Sequence, residues 1–296
     1  MTFDLGSYLT ERRTAVEAAL ELLLPPVDQP PQKLAEAVRY SVLAPGKRLR
    51  PILVIAAAEC IGGSAEDVME TACALECIHA FSLIHDDLPC MDNDDYRRGR
   101  LTNHKVFGEA MALLAGDALL ALAFELIAQN SRRTEESRLI PVIGLVARGS
   151  GTWGMVGGQV ADMEAQGQPV TADRLRRIHE RKTGALITAS VLAGGLLAGA
   201  NDAEVDWLTD YGKHVGLAFQ IADDILDVTG DETKLGKPVG SDEERDKATY
   251  PKVFGLDASR RMASDEAGRA VGSLTGFAEQ AEPLRCIARY VVERDL

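Results

Sequence analysis

The chain has 296 residues, 46% of them hydrophobic and 26% charged, an ordinary globular composition that excludes a disordered or collagen-like chain. Acidic residues outnumber basic ones, 45 against 32, for a formal net charge of −13 and a pI near 4.9. Such a surface repels phosphate backbones and argues against nucleic-acid partners, so a phosphate-bearing ligand needs a local basic pocket or a metal bridge.

Helix signals dominate in chain order. Leu5–Leu24 is amphipathic and stops at Pro25-Pro26, and Pro30-Pro31 closes the linker to a second stretch over Gln32–Leu43. Pro51–Cys60 opens with proline in a first-turn position and ends before Gly62-Gly63. Ser64 caps the next run, with Glu66 and Asp67 in its first turn, and the run continues through Leu75 and Ile78 to Asp86. Further helices are predicted over Glu109–Gln129, Glu135–Arg148, Thr171–Leu197, Ala203–Asp227, Ala258–Gln280 and Pro283–Glu293. Alternating strand patterns are nearly absent, and no repeat or linker divides the chain, so the expectation is a single all-α domain over 1–296, a helical bundle.

Met111–Ala128, broken by Asp117 and Glu125, and the shorter Ala185–Ala200 are the greasiest stretches. Neither reaches the roughly 18–20 uncharged apolar residues of a bilayer span, so both are expected as helices buried on every side and no membrane insertion is expected. The five cysteines (Cys60, Cys73, Cys77, Cys90, Cys286) form no C-x-x-C pair, and a zinc site from Cys73, Cys77 and His79 fails on spacing. The opening MTFDLGSYLTERR lacks the pattern of a signal peptide. A reducing, cytoplasmic setting is expected.

Two acidic clusters carry the chemistry. Asp86, Asp87, Asp92, Asp94 and Asp95 crowd five carboxylates into ten residues after an apolar helix, and their repulsion calls for cations. Hard oxygen ligands suit Mg²⁺, which binds through one or two carboxylates plus substrate phosphates. On a continuous helix six residues rotate by about 600°, leaving Asp92 roughly 120° from Asp86; the two converge only if the helix is interrupted, and Pro89 supplies the break. The second cluster is Asp223-Asp224-Ile225-Leu226-Asp227, where the four-residue step puts Asp223 and Asp227 on one face. A calcium-loop reading from Asp92 fails, because Arg97 stands at the position that requires glycine.

Against the acidic background, cations sit in compact groups: Lys47, Arg48 and Arg50 at a helix start, Arg97, Arg98 and Arg100 just after the first acidic cluster, Arg181 and Lys182 within a helical stretch, and Lys234, Lys237 and Lys247 in a Gly/Asp-rich loop after the second. Beside two metal sites they suggest several phosphates held at once by metals, Arg forks and Lys point charges.

The motifs GKRLRP, HAFSLIHDDLPCMDNDDYRRG, LTNHKVFGEA, ERKTGAL, GLAFQIADDILD, LGKPVGSD and DKATYP resemble, in order and over roughly residues 37–252, those of the trans-isoprenyl diphosphate synthases. The subgroup most resembled is the bacterial farnesyl diphosphate synthases, with plant-type geranylgeranyl diphosphate synthases very similar. The resemblance implies the all-α isoprenoid synthase fold with a central cavity, a homodimer, and Mg²⁺ as cofactor. It implies that isopentenyl diphosphate is held by Lys47, Arg50, His79 and Arg98. It places an allylic diphosphate between the acidic clusters, bridged by Mg²⁺ to Asp86, Asp92 and Asp223, with Asp87, Asp224 and Asp227 as further or water-mediated ligands. Arg97, Lys182, Lys237 and Lys247 would bind the same diphosphate, Thr183, Gln220 and the Lys182 carbonyl would face an allylic cation, and Gly230–Lys247 would form a lid. The Gly157-Gly158-Gln159…Asp162 segment also recurs in the family and receives no role.

Product length in this family depends on residues just before the first acidic cluster, here Phe81 and Ser82. Helical geometry puts Ser82 nearly beneath Asp86 and Phe81 to one side, so Phe81 as tunnel floor is an implication of the resemblance. A bulky aromatic there fits a fifteen-carbon product, while LPCMDNDD and TNHKVFGE leave a twenty-carbon product open. A terpene cyclase would need Ser or Thr and then Glu where Asp227 and Asp231 stand, and a regulatory subunit commonly lacks one of the acidic clusters present here.

Overall fold

The computed structural model describes residues 3–230 and 247–293; Lys234, Lys237 and all but the two end residues of the expected Gly230–Lys247 lid lie outside the described residues. The chain order is α1 (Leu5–Leu23), α2 (Gln32–Val42), α3 (Leu49–Ile61), α4 (Ala65–Asp86), α5 (Asn103–Phe107), α6 (Glu109–Gln129), α7 (Glu136–Ser150), α8 (Met155–Met163), α9 (Ala172–His179), α10 (Ala185–Ala198), α11 (Asp202–Thr229), α12 (Tyr250–Phe254), α13 (Leu256–Ser273) and α14 (Glu282–Glu293). A two-residue ladder, β1 (Tyr96–Arg97) with β2 (Arg100–Leu101), is the strand content of the described residues. The expectation of an all-α helical bundle is met.

Local chemistry fixes the helix starts. Ser64 and Asp67 make a reciprocal capping box ahead of α4, and Asn201 with Glu204 does the same ahead of α11. These two helices carry the acidic clusters at their far ends. Both are anchored by fully buried aliphatic side chains, Leu75 and Ile78 on α4 and Ile221 and Ile225 on α11, each contributing about 1.5–3 kcal/mol by leaving water. Between them runs α10, packed on α3, α4, α7 and α11. Its buried Leu186, Val191 and Ala193 match the expectation of a helix enclosed by others.

Three differences from the sequence reading matter. The stretch expected as one helix over Thr171–Leu197 is interrupted at Glu180–Gly184 by a π-helical turn. The region expected over Ala258–Gln280 ends at Ser273, with a separate 3₁₀ turn at Glu279–Ala281. And α6 is buried along one side only, leaving Leu113 and Leu114 exposed at its open side. By length and composition alone Glu109–Arg132 and Glu136–Met163 are apolar enough to cross a membrane, while Asp117 and Glu125 still interrupt the uncharged run within Met111–Ala128.

Candidate active site

A cavity of about 680 Å³ opens between the end of α4, α6, α8, the π turn and α11. Its apolar lining includes Phe81, Leu88, Met155 and Phe219, with Leu113 and Val160 at exposed positions; its charged lining includes Asp86, Asp223, Arg97, Arg98 and Lys182.

The first acidic cluster converges as the proline break requires. α4 ends at Asp86, and the chain turns back so that the Asp92 amide donates to the Asp86 carbonyl at 2.8 Å. Burial raises the Asp86 carboxyl above its ordinary range and Asp92 adds to the rise, while Lys182, Arg97 and Lys247 oppose it. Lys247 stands 3.5 Å from Asp92. Opposite, Asp223 is exposed to the cavity from α11. The donor set is entirely carboxylate oxygen, the type that Mg²⁺ takes. Among the described residues no three His, Cys, Asp or Glu side chains form a closed metal cage, so these carboxylates fit a cation whose remaining ligands come from water and a bound molecule.

The neighbouring carboxylates are committed elsewhere. Asp87, 3% exposed, accepts from Arg97 Nε at 2.7 Å, and its pKa is pushed up to about 6 by burial, with Asp94 and Asp86 adding to the rise and Arg97 opposing it. Asp224, 2% exposed, accepts from Gln220 Nε2 at 2.9 Å through one oxygen and from the Tyr250 amide at 2.9 Å through the other. Asp227 is buried, whereas Asp223 on the same helical face is not. In this structure Asp87 and Asp224 are held by donors within the protein and stand outside the cavity lining, whereas Asp86 and Asp223 are part of it.

A cationic pocket adjoins the mouth. Arg50, His79 and Arg98 all line the cavity. Burial lowers the Arg50 pKa to about 10, Arg98 presses it further and Glu76 and Asp223 oppose the fall. Burial together with Arg50, Arg98, Arg97 and Arg48 keeps His79 far below its ordinary pKa, hence neutral. The buried Arg50 Nε has no hydrogen-bond partner, a donor of the kind an anion satisfies. Arg48 pairs instead with buried Glu76 at 2.8 Å and serves structure. Lys47 is exposed and, like Asp92 and Lys247, stands outside the cavity lining.

The π turn presents Lys182 and Thr183 to the cavity. Its shape is imposed from outside: a Cβ on Gly158 of α8 would lie 2.2 Å from the Lys182 amide nitrogen, and one on Gly216 of α11 would lie 2.8 Å from Gly184 Cα. Asp162, one turn beyond Gly158, accepts from Lys182 Nζ at 2.7 Å. Burial presses the Lys182 pKa down, but Asp162 and Asp86 outweigh it and leave it raised. The Gly157–Asp162 segment, given no role from sequence, is thus the seat of Lys182. Thr183 Oγ1 donates to Gln220 Oε1 at 2.6 Å, which continues to Asp224.

Carboxylates, several cationic side chains and apolar walls lining one cavity suit a molecule that joins a diphosphate to a hydrocarbon chain. The comparisons agree. The polyprenyl synthetase family description matches residues 31–282, and the chain belongs to that family. It is a prenyltransferase of the trans-isoprenyl diphosphate synthase type. A dimethylallyltranstransferase of Fischerella ambigua is 51% identical over 99% of this chain and 84% of its own length. A farnesyl diphosphate synthase of Bacillus subtilis is 46% identical over 93% and 94%, and a chloroplastic geranylgeranyl pyrophosphate synthase of Capsicum annuum 45% identical over 99% and 79%. The crystal structure of a Helicobacter pylori geranyltransferase complexed with magnesium and isoprenyl diphosphate superposes with a TM-score of 0.86 at 30% identity, covering 99% of this chain and 97% of that one.

Proposed function

We propose that this enzyme condenses isopentenyl diphosphate with dimethylallyl and then geranyl diphosphate to give farnesyl diphosphate, with Mg²⁺ held by Asp86, Asp92 and Asp223. The observation that carries the proposal is one cavity in which a cationic pocket, a carboxylate mouth and an aromatic-walled apolar depth adjoin. The magnesium and isoprenyl diphosphate of the Helicobacter relative support the ligand set, and Phe81 within the tunnel supports the fifteen-carbon product. The pepper relative's name keeps a twenty-carbon product as the second reading.

Arg50, His79 and Arg98 seat the isopentenyl diphosphate. Arg97, Lys182 and Lys247 face the allylic diphosphate, and Lys237 is assigned to it by sequence alone. When bound, Mg²⁺ supplies positive charge that stabilises the departing diphosphate. The allylic C–O bond breaks with its electron pair going to oxygen, and the isopentenyl double bond forms the new C–C bond. A proton then leaves the isopentenyl C2 for a diphosphate oxygen. Thr183 and Gln220 stabilise the cation through a polarity that Asp224 fixes. A carboxylate only accepts, so Gln220 must offer Asp224 its NH₂ and Thr183 its carbonyl; Thr183 then spends its proton on Gln220 and keeps oxygen lone pairs for the cavity. The apolar walls keep out the water that would quench the cation.

A second copy of the chain fits the exposed apolar side of α6 and α7, where Leu114 and Ile140 face outward, and light scattering should give the mass of a dimer.

The test uses purified enzyme, both five-carbon diphosphates and chromatography of the products. A dominant fifteen-carbon product is expected with Mg²⁺, and none with a chelator, with Asp86→Ala or with Asp223→Ala. A dominant twenty-carbon product would move the floor beyond Phe81. Folded enzyme without product in the presence of Mg²⁺, or full turnover by either variant, would overturn the proposal.

A further inference from the structure

The aromatic floor has a support on its own helix that is seated on another. Phe81 and His85 are one turn apart on α4 and share a face. Their rings meet edge to face, with centroids 5.3 Å apart at 90°. On its other side, the His85 ring reaches α6. His85 Nε2 lies 3.0 Å from the Leu113 carbonyl oxygen; a carbonyl only accepts, so Nε2 is the protonated nitrogen and donates. Beneath the ring is Gly116, where a Cβ would lie 2.1 Å from His85 Nε2, 2.5 Å from Cδ2 and 2.9 Å from Cε1. The ring therefore lies directly against the glycine backbone, and a side chain at position 116 cannot coexist with it. Phe81, His85 and Leu113 all line the 680 Å³ cavity.

We propose that His85, seated on Gly116 and tied to the Leu113 carbonyl, is a specificity-determining residue that braces Phe81 across the tunnel and so sets the length at which the product chain stops growing. The proposal rests on the reading of Phe81 as tunnel floor. The geometry leaves the His85 ring three neighbours: α6 on one side, Phe81 on another and the cavity on the third. Removing the ring lets Phe81 swing and deepens the tunnel. Adding a methyl group at 116 drives the ring off α6 toward Phe81 and the cavity, which makes the tunnel shallower. The two changes act in opposite directions through one side chain, so they must be non-additive.

The experiment is the product-length distribution of the full chain with Mg²⁺, isopentenyl diphosphate and dimethylallyl diphosphate, scored as ratios so that changes in turnover cancel. Phe81→Ala should lengthen the product by at least one isoprene unit. His85→Ala should lengthen it in the same direction, Gly116→Ala should shorten it by one unit, and the double variant should match His85→Ala alone. Phe81→Ala lengthening the product while His85→Ala and Gly116→Ala leave it unchanged would overturn the brace and keep the floor. An unchanged spectrum for Phe81→Ala would remove the floor itself. A double variant that still shortens would show that the methyl group acts without His85, again overturning the proposal. If Gly116→Ala does not fold, Phe81→Ala/His85→Ala decides: a product no longer than that of Phe81→Ala is expected, and a further lengthening refutes a shared path.

Discussion

Replacing Asp224 by Asn probes the polarity of the cation-facing chain without changing its size. In the wild type, Asp224 accepts from both Gln220 and the Tyr250 amide. An asparagine keeps one acceptor, which the Tyr250 N–H holds because backbone cannot flip. Its NH₂ then meets the Gln220 NH₂, and the conflict is relieved when Gln220 turns its amide over. That places a donor against Thr183, whose hydroxyl must now accept and point its proton into the cavity. The group that offered lone pairs to the cation then offers a hydrogen. Misplacing one preorganised dipole costs about 10²–10³ in kcat, or about 3–4 kcal/mol, whereas the hydrogen-bond count is conserved and stability should change by less than about 1 kcal/mol. Steady-state kinetics at saturating Mg²⁺ with a parallel thermal melt is the assay. Asp224→Ala is the contrast, because it strands the buried Tyr250 N–H and should cost about 1–3 kcal/mol of stability. A kcat for Asp224→Asn within a few-fold of wild type would refute the reasoning. So would recovery of activity on raising Mg²⁺, which would make Asp224 a metal ligand.

Three further outcomes follow from the same geometry. Gly158→Ala sets a methyl group 2.2 Å from the Lys182 nitrogen; overpacking of this kind costs about 1–3 kcal/mol, and displacement of Lys182 and Thr183 should lower kcat about 100-fold, read by calorimetry and initial rates. Arg50→Met should raise KM for isopentenyl diphosphate by about 10- to 100-fold with little change for the allylic substrate, as expected for losing a charge-assisted hydrogen bond of about 1.5–3 kcal/mol. His179 is stacked on Tyr250, and burial, with Lys182 adding to it, lowers its pKa to about 4 from 6.5. The unfolded chain therefore binds a proton that the folded one refuses. This contribution to stability is complete above pH 6.5 and is lost as pH falls toward 4, amounting to about 2 kcal/mol by pH 5. His179→Phe should flatten that part of the curve of melting temperature against pH; an unchanged slope would refute the assignment.

Much of this site was legible before any coordinates, and the exceptions share a cause. Pro89 announced the break that returns Asp92 to Asp86, because proline acts locally. The i,i+4 spacing of Gln220 and Asp224 was also readable and would have predicted their hydrogen bond, separating Asp224 from Asp223, which a 100° step sends elsewhere. The π turn at 180–184 was not readable, since a lone Gly184 is tolerated within a helical pattern and the shape is set by the close approach of Gly158 and Gly216 from other helices. The Gly157-Gly158 pair likewise hid α8, because glycine is a poor helix former chosen here for closeness. For α6 the apolar composition was plain, but composition does not say which side neighbours cover, and Leu114 remains outside.

The π turn also behaves as a stored phase. One additional residue per turn rotates everything before it by about 100° relative to everything after it. Leu175, Ile178 and His179 on α9 are buried in that offset orientation, while the buried residues of α10 follow the ordinary one. Deleting any one residue between 180 and 184 would give a smoother helix with all its backbone hydrogen bonds, and would still turn the α9 side chains out of their seats. The length of this stretch is therefore as tightly constrained as any side chain in the cavity.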